Sequence, residues 1–176
     1  MNNGTQGAPG GAWQVSFAAL PANLAEMQAL PLADLTQPQN TVALTVAALC
    51  AYPANKDAAI AMLNYLKGPQ PLSPYDIQFL ADRLRGKEYL PLSFFAGATP
   101  QNNYTPTQPC TLAVLETPHS RAQINEGYLQ LFLQSGGADS PRPIKLRHKP
   151  STGEWFLWEQ MLLSDIRTPA AADPWQ

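Results

Sequence analysis

The sequence predicts an α+β domain in which N-terminal helices pack on a C-terminal antiparallel β-meander of four to five strands. The meander follows from residues 128–159, where three segments of strand character are separated by two segments of turn-forming residues. The helices follow from the first half, where apolar residues recur at helical spacing between residues that begin and end helices.

The N-terminal part is predicted to hold a tail, an edge strand and a short helix. Residues 1–11 are mostly Asn, Gly, Gln and Pro, which bury little apolar area, so we expect a disordered tail. Residues 13–17 alternate apolar and polar side chains, which favours a short edge strand. Residues 21–30 have apolar side chains at helical spacing, and Pro31 is expected to end that helix.

Two apolar helices are predicted next. Residues 41–51 carry few polar side chains, so this helix is expected to be buried on nearly all sides, with Asn40 as its N-cap. Residues 56–67 have a narrower apolar stripe. Asn55 is the expected N-cap of that helix, and Gly68 suits the left-handed position that often follows a helix.

The helix over residues 73–86 has the most complete set of local features. Ser73 is the expected N-cap, Pro74 occupies the first helical position, and Asp76 can accept a hydrogen bond from the cap backbone. Gly86 is expected to close the helix.

The second half is predicted to be mostly sheet. Residues 89–109 contain four prolines and several aromatic residues, which favours a long ordered connection. The predicted strands are 110–117, 128–134, 144–149 and 154–159. Alternation places three leucines of the second of these strands on one face, which is the expected inner face of the sheet.

Composition narrows the function classes. A net charge of −2 gives no general reason to expect nucleic acid or an anionic membrane as a partner. No apolar run reaches the roughly 18 residues of a membrane span. Cys50 and Cys110 have no partner spacing and indicate free thiols in a reducing compartment. We therefore expect a cytoplasmic protein with a single domain over 12–168 and a C-terminal tail over 169–176.

Four segments together carry a family resemblance: 66–76 (LKGPQPLSPYD), 140–147 (SPRPIKLR), 166–169 (IRTP) and 173–175 (DPW). They resemble a family of uncharacterised proteins from gut-dwelling Gram-positive bacteria that is known as a domain of unknown function. The resemblance extends from about Leu24 onward. It implies a bacterial protein and provides no catalytic or ligand-binding residues.

The third predicted strand and the turn before it carry the main cluster of charge. This basic strip consists of Arg142, Lys145, Arg147 and Lys149. One hypothesis is a solvated strand face whose lysines discourage edge-to-edge association. The other is a binding surface for a phosphate-bearing ligand, an acidic protein or nucleic acid. Nucleic acid is the least favoured of these partners, because strand alternation leaves at most one of Trp155 and Trp158 beside the strip.

Catalytic and metal-binding patterns are weak. Asp139, Arg147 and His148 are the first candidates for a site assembled from dispersed residues, with His148 expected on the inner strand face. No HxH, HExxH or CxxC pattern occurs, so neither a metal nor a cofactor is predicted. Cys50 is expected to be inert, because burial in an apolar helix raises the pKa of a thiol.

Three function classes follow. The favoured one is a non-catalytic interaction or regulatory module of the bacterial cytosol, with another protein or a small ligand as partner. The second is a small-ligand-binding domain with a pocket between helices and sheet, by analogy with cystatin-like and nuclear-transport-factor-2-like folds. The third is an enzyme with dispersed active-site residues. The sequence leaves the oligomeric state and the role of the connection over 89–109 open.

Overall fold

A five-stranded antiparallel sheet in the order β1-β2-β3-β4-β5 forms one layer of the structure. The strands are β1 (Ala12–Phe17), β2 (Cys110–Leu115), β3 (Tyr128–Leu133), β4 (Arg142–Lys149) and β5 (Glu154–Gln160). The structure is a computed structural model that describes residues 11–175. Strands that follow one another in sequence pair with one another, so the sheet is a meander with β1 and β5 at its edges.

Five helices lie between β1 and β2 in the chain. They are α1 (Leu24–Ala29), α2 (Pro38–Ala51), α3 (Lys56–Lys67), α4 (Pro74–Leu84) and the single turn α5 (Tyr89–Leu92). The predicted α+β class is confirmed, with helices mostly in the N-terminal half and an antiparallel sheet mostly in the C-terminal half. Within residues 11–175, no helix has the length and apolar character needed to cross a membrane. The tail expected over 1–11 falls almost entirely outside the described residues.

Helix α2 is the centre of the helical layer. Every residue from Thr41 to Leu49 is buried, as its apolar composition predicts. The predicted start of this helix was wrong, because α2 begins at Pro38 and Asn40 lies inside its first turn. Proline suits this position because the first helical N–H has no partner within the helix. The Asn40 side chain instead donates a hydrogen bond to the carbonyl oxygen of Asp34, at 3.1 Å.

The ends of α3 agree with their predicted caps. Asn55 accepts a hydrogen bond from the backbone N–H of Ala58 at 3.1 Å. Gly68 follows the helix with a φ of 62°, a region that favours glycine. A β-carbon at this position would also lie 2.5 Å from the Phe156 ring, so Gly68 allows the end of α3 to approach β5 closely.

The predicted capping box of α4 is confirmed. The Ser73 hydroxyl accepts from the Asp76 backbone N–H at 3.1 Å, and the Asp76 carboxylate accepts from the Ser73 backbone N–H at 2.9 Å. Both bonds satisfy N–H groups that a helix start otherwise leaves unpaired.

Replacing Ser73 with alanine removes one of these two bonds. We expect Ser73→Ala to lower the free energy of unfolding by about 0.5–2 kcal/mol. Ser151→Ala, at an exposed turn position, is the matched control and should leave stability nearly unchanged. Urea denaturation of both variants checks this expectation, and equal midpoints for Ser73→Ala and the wild type would contradict it.

The long connection before β2 packs against the turn between β3 and β4 and against the C-terminal segment that follows β5. Tyr104 is fully buried, and its hydroxyl donates to the carbonyl oxygen of Arg167 at 2.6 Å. The Gly136 backbone N–H donates to the carbonyl oxygen of Ser93 at 2.8 Å. A β-carbon on Gly136 would lie 2.0 Å from the carbonyl oxygen of Ala98, so only glycine allows this approach. Gly136 therefore allows the turn between β3 and β4 to pack closely on this connection.

The two faces of the sheet differ in composition. The inner face packs under the helices, and its leucines at 129, 131 and 133 are at most 1% exposed. The outer face carries Tyr128, Phe132, Arg147 and Phe156, all of which are partly or largely accessible. This outer face is where the basic strip lies.

A β-bulge separates the two halves of the β4–β5 pair. Lys145 pairs with Glu159 while Leu146 pairs with Leu157, so Trp158 is the additional residue on β5. The bulge turns the Trp158 ring toward Arg147, with 4.9 Å between the guanidinium carbon and the ring centroid. This local irregularity positions the candidate site.

Candidate binding site on the outer sheet face

Arg142 holds the C-terminal segment against the sheet. Its guanidinium donates to the carbonyl oxygens of Ser140, Ser164 and Asp165, at 2.8–2.9 Å. These bonds use the side chain within the protein, so Arg142 stands apart from the other three cations of the basic strip.

The two lysines of the strip face acidic residues on the neighbouring strand. Lys145 lies opposite Glu159, and Lys149 lies opposite Glu154. Directly opposed residues on one face have their β-carbons about 4.5–5.5 Å apart, so each glutamate lowers the positive potential around its lysine. Among residues 11–175, neither lysine forms an ion pair within 4.0 Å. Lys145 also donates a hydrogen bond to the side-chain oxygen of Gln123, at 3.1 Å.

Arg147 is held by two aromatic rings. Its guanidinium carbon lies 5.1 Å from the centroid of the Tyr128 ring and 4.9 Å from that of Trp158. Its Nη1 donates to the Tyr128 hydroxyl at 2.7 Å, and the two rings meet edge to face with 5.6 Å between centroids. Among residues 11–175, no carboxylate lies within 4.0 Å of this guanidinium. A guanidinium has five N–H donors, so most of them remain available to a ligand.

A cleft of about 300 Å³ lies beside this guanidinium. Its lining comes from β4, from β5 and from the turn that follows α3: Lys67, Pro69, Gln70, Arg147, His148, Lys149, Phe156, Leu157 and Trp158. The Lys67 ammonium donates to the carbonyl oxygen of Trp158 at 3.1 Å, which fixes the α3 end of the wall. We call this depression the Arg147 cleft.

A second depression of about 290 Å³ lies on the other side of Lys67 and Trp158, between α3, α4 and the end of β5. Its lining is mainly apolar and includes Phe79, Leu80 and Leu157. Tyr75 and Met161 at its border are 76% and 56% exposed. We call it the α4 groove. The cleft and the groove share the Lys67, Leu157 and Trp158 walls.

Of the three residues considered for a dispersed active site, Arg147 and His148 line the same cleft and Asp139 does not. Asp139, in the turn before β4, pairs with Arg167. This turn precedes Arg142, the first residue of β4. Arg142 and Arg147 are about 17 Å apart along the strand. The His148 ring packs on Trp155, with centroids 4.6 Å apart, although the residue also contributes to the cleft wall.

Cys50 and the grouping of possible metal ligands bear on nucleophilic and metal chemistry. Burial, and to a smaller extent the nearby Cys110, raises the pKa of the Cys50 thiol, which keeps it protonated. Within the part of the chain that the structure describes, no group of three or more His, Cys, Asp or Glu side chains could hold a metal ion.

Sequence reasoning missed the aromatic partners of Arg147 and the role of Lys67. The expectation that only one of two tryptophans flanks the strip agrees with the geometry, and that residue is Trp158. Tyr128 could have been found from the β3–β4 register, in which it is paired directly with Arg147. The bulge at Trp158 and the position of Lys67 depend on long-range packing and left no sequence pattern.

Comparison with known proteins gives a family and no functional relative. Residues 19–170 match the model of a protein family described as a domain of unknown function, DUF6935. No curated protein and no solved structure matches the chain. The family match covers most of the chain and confirms the resemblance to a domain of unknown function.

Proposed function

The chain belongs to the DUF6935 family, a domain of unknown function, and we propose that it is a non-catalytic interaction module of the bacterial cytosol. The proposed partner is a protein segment that presents a carboxylate or phosphate group beside an aromatic or apolar side chain. The Arg147 cleft is the proposed binding site. The two free cysteines support a reducing compartment.

This proposal rests on one observation: the guanidinium of Arg147 packs against the rings of Tyr128 and Trp158. A flexible arginine loses side-chain entropy when it binds an anion, and that cost weakens most surface ion pairs. The Tyr128 and Trp158 rings already hold this guanidinium in one orientation. Its planar donors can therefore engage both oxygens of one anionic group without that loss.

The lining of the cleft favours an anion with an apolar attachment. Phe156, Leu157 and Trp158 provide apolar wall, whereas Lys67 and Lys149 contribute positive charge at the sides. A small inorganic anion would contact only the cations. A ligand with an aromatic or aliphatic group next to the anion would also bury surface against the wall, which stabilises the complex further.

The distribution of charge disfavours a long polyanion. Affinity for nucleic acid rises with the number of phosphates that cations neutralise. Here Glu154 and Glu159 lie opposite the two lysines of the strip, and Arg142 is bonded within the protein. Among the described residues, Arg147 is the one cation of the strip that neither lies opposite a glutamate nor donates to backbone carbonyls, which fits a single anionic group.

Titration calorimetry with phenyl phosphate and with inorganic phosphate tests the proposal. We expect phenyl phosphate to bind more tightly, because its ring reaches the apolar wall. Arg147→Ala should weaken phenyl phosphate binding at least about tenfold, in line with the loss of a charged hydrogen-bonding partner. Arg147→Lys should not restore the wild-type affinity, because an ammonium lacks the planar fork.

Lys145→Ala is the matched control, since Lys145 lies on the same strand face, opposite Glu159, and does not line the Arg147 cleft. We expect its affinity to stay within about twofold of wild type, as for other exposed charges. Equal affinities for wild type and Arg147→Ala, or no heat with phenyl phosphate, would rule out the Arg147 cleft as the binding site.

A second candidate function is the binding of a small apolar ligand in the α4 groove. The groove lies between helices and sheet and is lined by Phe79, Leu80 and Met161, which favours this alternative. A neutral aromatic probe such as toluene would discriminate between the sites, because its binding should be lost in Leu80→Asn and retained in Arg147→Ala.

A further inference from the structure

The two edges of the sheet differ in how their backbone groups are satisfied. At the β5 edge, the Trp155 backbone N–H donates to the carbonyl oxygen of Leu35 at 2.7 Å. The Trp155 carbonyl oxygen accepts from the Thr41 hydroxyl at 2.7 Å, and that of Trp158 accepts from Lys67. The β5 edge is therefore covered by the protein itself.

The hydrogen-bond pattern places the free backbone groups of β1 on its outer edge. The Glu116 backbone N–H donates to the carbonyl oxygen of Gly11, which makes these two a hydrogen-bonded pair. Such pairs alternate along antiparallel strands, so Ala12, Gln14 and Ser16 point their N–H and C=O groups away from β2. Among residues 11–175, no backbone bond to these outward groups occurs.

Strand β1 lacks the features that usually prevent edge-to-edge pairing. Its six residues, AWQVSF, include no charged residue and no proline. Its pairing with β2 is continuous from Ala12 to Phe17, without a bulge. Natural proteins commonly place lysine, proline or a bulge on an exposed edge.

Strand β1 can pair in antiparallel fashion with β1 of a second copy of the chain. A two-fold axis through the middle of β1 would place Gln14 opposite Gln14 of the partner subunit and Ala12 opposite Ser16 of the partner subunit. These pairs bring together no like charges and no bulky groups, and two glutamine amides can donate to and accept from each other. Antiparallel pairing of identical strands also gives the isologous contact that a closed two-fold dimer requires.

We propose that β1 is the pairing edge of a homodimer, in which two copies form a continuous ten-stranded antiparallel sheet. Each opposed pair of outward-facing residues would exchange two backbone hydrogen bonds. All helices would lie on one face of this sheet, and both outer faces would lie on the other. The two copies of β4 would be about 34 Å apart, seven strand spacings, so both Arg147 clefts would face the same side.

Sedimentation equilibrium on the full chain, over a wide range of protein concentration, tests this dimer. We expect the mass to rise from 19.1 kDa for a single chain toward twice that value as concentration increases. Gln14→Lys places two like charges directly opposite each other at the axis and should keep the protein monomeric. Because Gln14 is exposed, this variant should retain its thermal midpoint apart from any contribution of dimerisation.

Ala113→Lys is the matched control. Ala113 pairs with Gln14 on the same outer face, one strand inward. In the dimer, the two copies of Ala113 would be about 14 Å apart, which is three strand spacings. This exceeds the Debye length of about 8–10 Å at ordinary salt. We therefore expect Ala113→Lys to dimerise like wild type.

Three results would overturn the proposal. The first is a single-chain mass at every concentration, and the second is a Gln14→Lys variant that still dimerises. The third is a wild-type monomer that dimerises only after deletion of residues 2–10, since the N-terminal segment would then cover the edge. Phenyl phosphate affinity in Gln14→Lys should equal that of wild type, so the dimer and the Arg147 cleft can fail independently.

Discussion

Arg121→Ala is expected to destabilise the protein by about 1–3 kcal/mol, because it leaves the buried carboxylate of Glu116 without its half-exposed charge partner. Glu116 is 3% exposed, and its Oε1 accepts from the Arg121 Nε at 2.5 Å. Its Oε2 has no hydrogen-bond partner among the described residues, so the arginine provides most of the compensation for the buried charge. Urea denaturation of the variant measures this loss.

A double variant separates the effect of the uncompensated Glu116 charge from the loss of the Arg121 side chain itself. Glu116→Gln combined with Arg121→Ala replaces the ion by a neutral amide of similar shape, and we expect it to recover most of the lost stability. If Arg121→Ala unfolded at the wild-type urea concentration, Glu116 would be compensated by groups other than Arg121.

Leu131→Ala is expected to lower the free energy of unfolding by about 2–5 kcal/mol. Leu131 lies on the central strand β3, is fully buried, and packs on the inner face beneath the helices. Interiors are close-packed, so removal of its branched end leaves a cavity that the surroundings fill only in part. Thermal and chemical denaturation both measure the change.

Leu115→Ala is the matched control on the outer face. Leu115 belongs to the adjacent strand β2 and is only partly buried, so its truncation opens the site to water without enclosing a cavity. We expect it to cost clearly less than Leu131→Ala. Equal costs would mean that both faces of the sheet are covered, contrary to the one-sided helical layer.

Local features of the sequence were sufficient for the fold class and placed the ends of the predicted helices and strands within about three residues. The capping box at Ser73 and Asp76 fixed the start of α4 because its hydrogen bonds span only three residues. The alternation in β3 identified the inner sheet face because side-chain direction in a strand has a period of two. The error at the start of α2 arose because Asn40 and Pro38 both suit a helix start, and the proline occupies it.

The candidate site depended on contacts between residues distant in sequence. The sequence shows the basic strip, but its four cations have different surroundings in the structure. Glu159 lies opposite Lys145, and loop carbonyl oxygens accept hydrogen bonds from Arg142. The clamp on Arg147 requires both the β3–β4 register and the bulge at Trp158. Neither leaves a local pattern.

Nuclear magnetic resonance of side-chain N–H groups tests the proposed binding site most directly. A titration with phenyl phosphate would follow the arginine Nε–H and tryptophan indole N–H resonances of ¹⁵N-labelled protein. We expect saturable shifts for Arg147 and Trp158, and none for Trp13, which is buried in the core. Shifts at Arg142 with none at Arg147, or no saturable shift at all, would contradict binding at the Arg147 cleft.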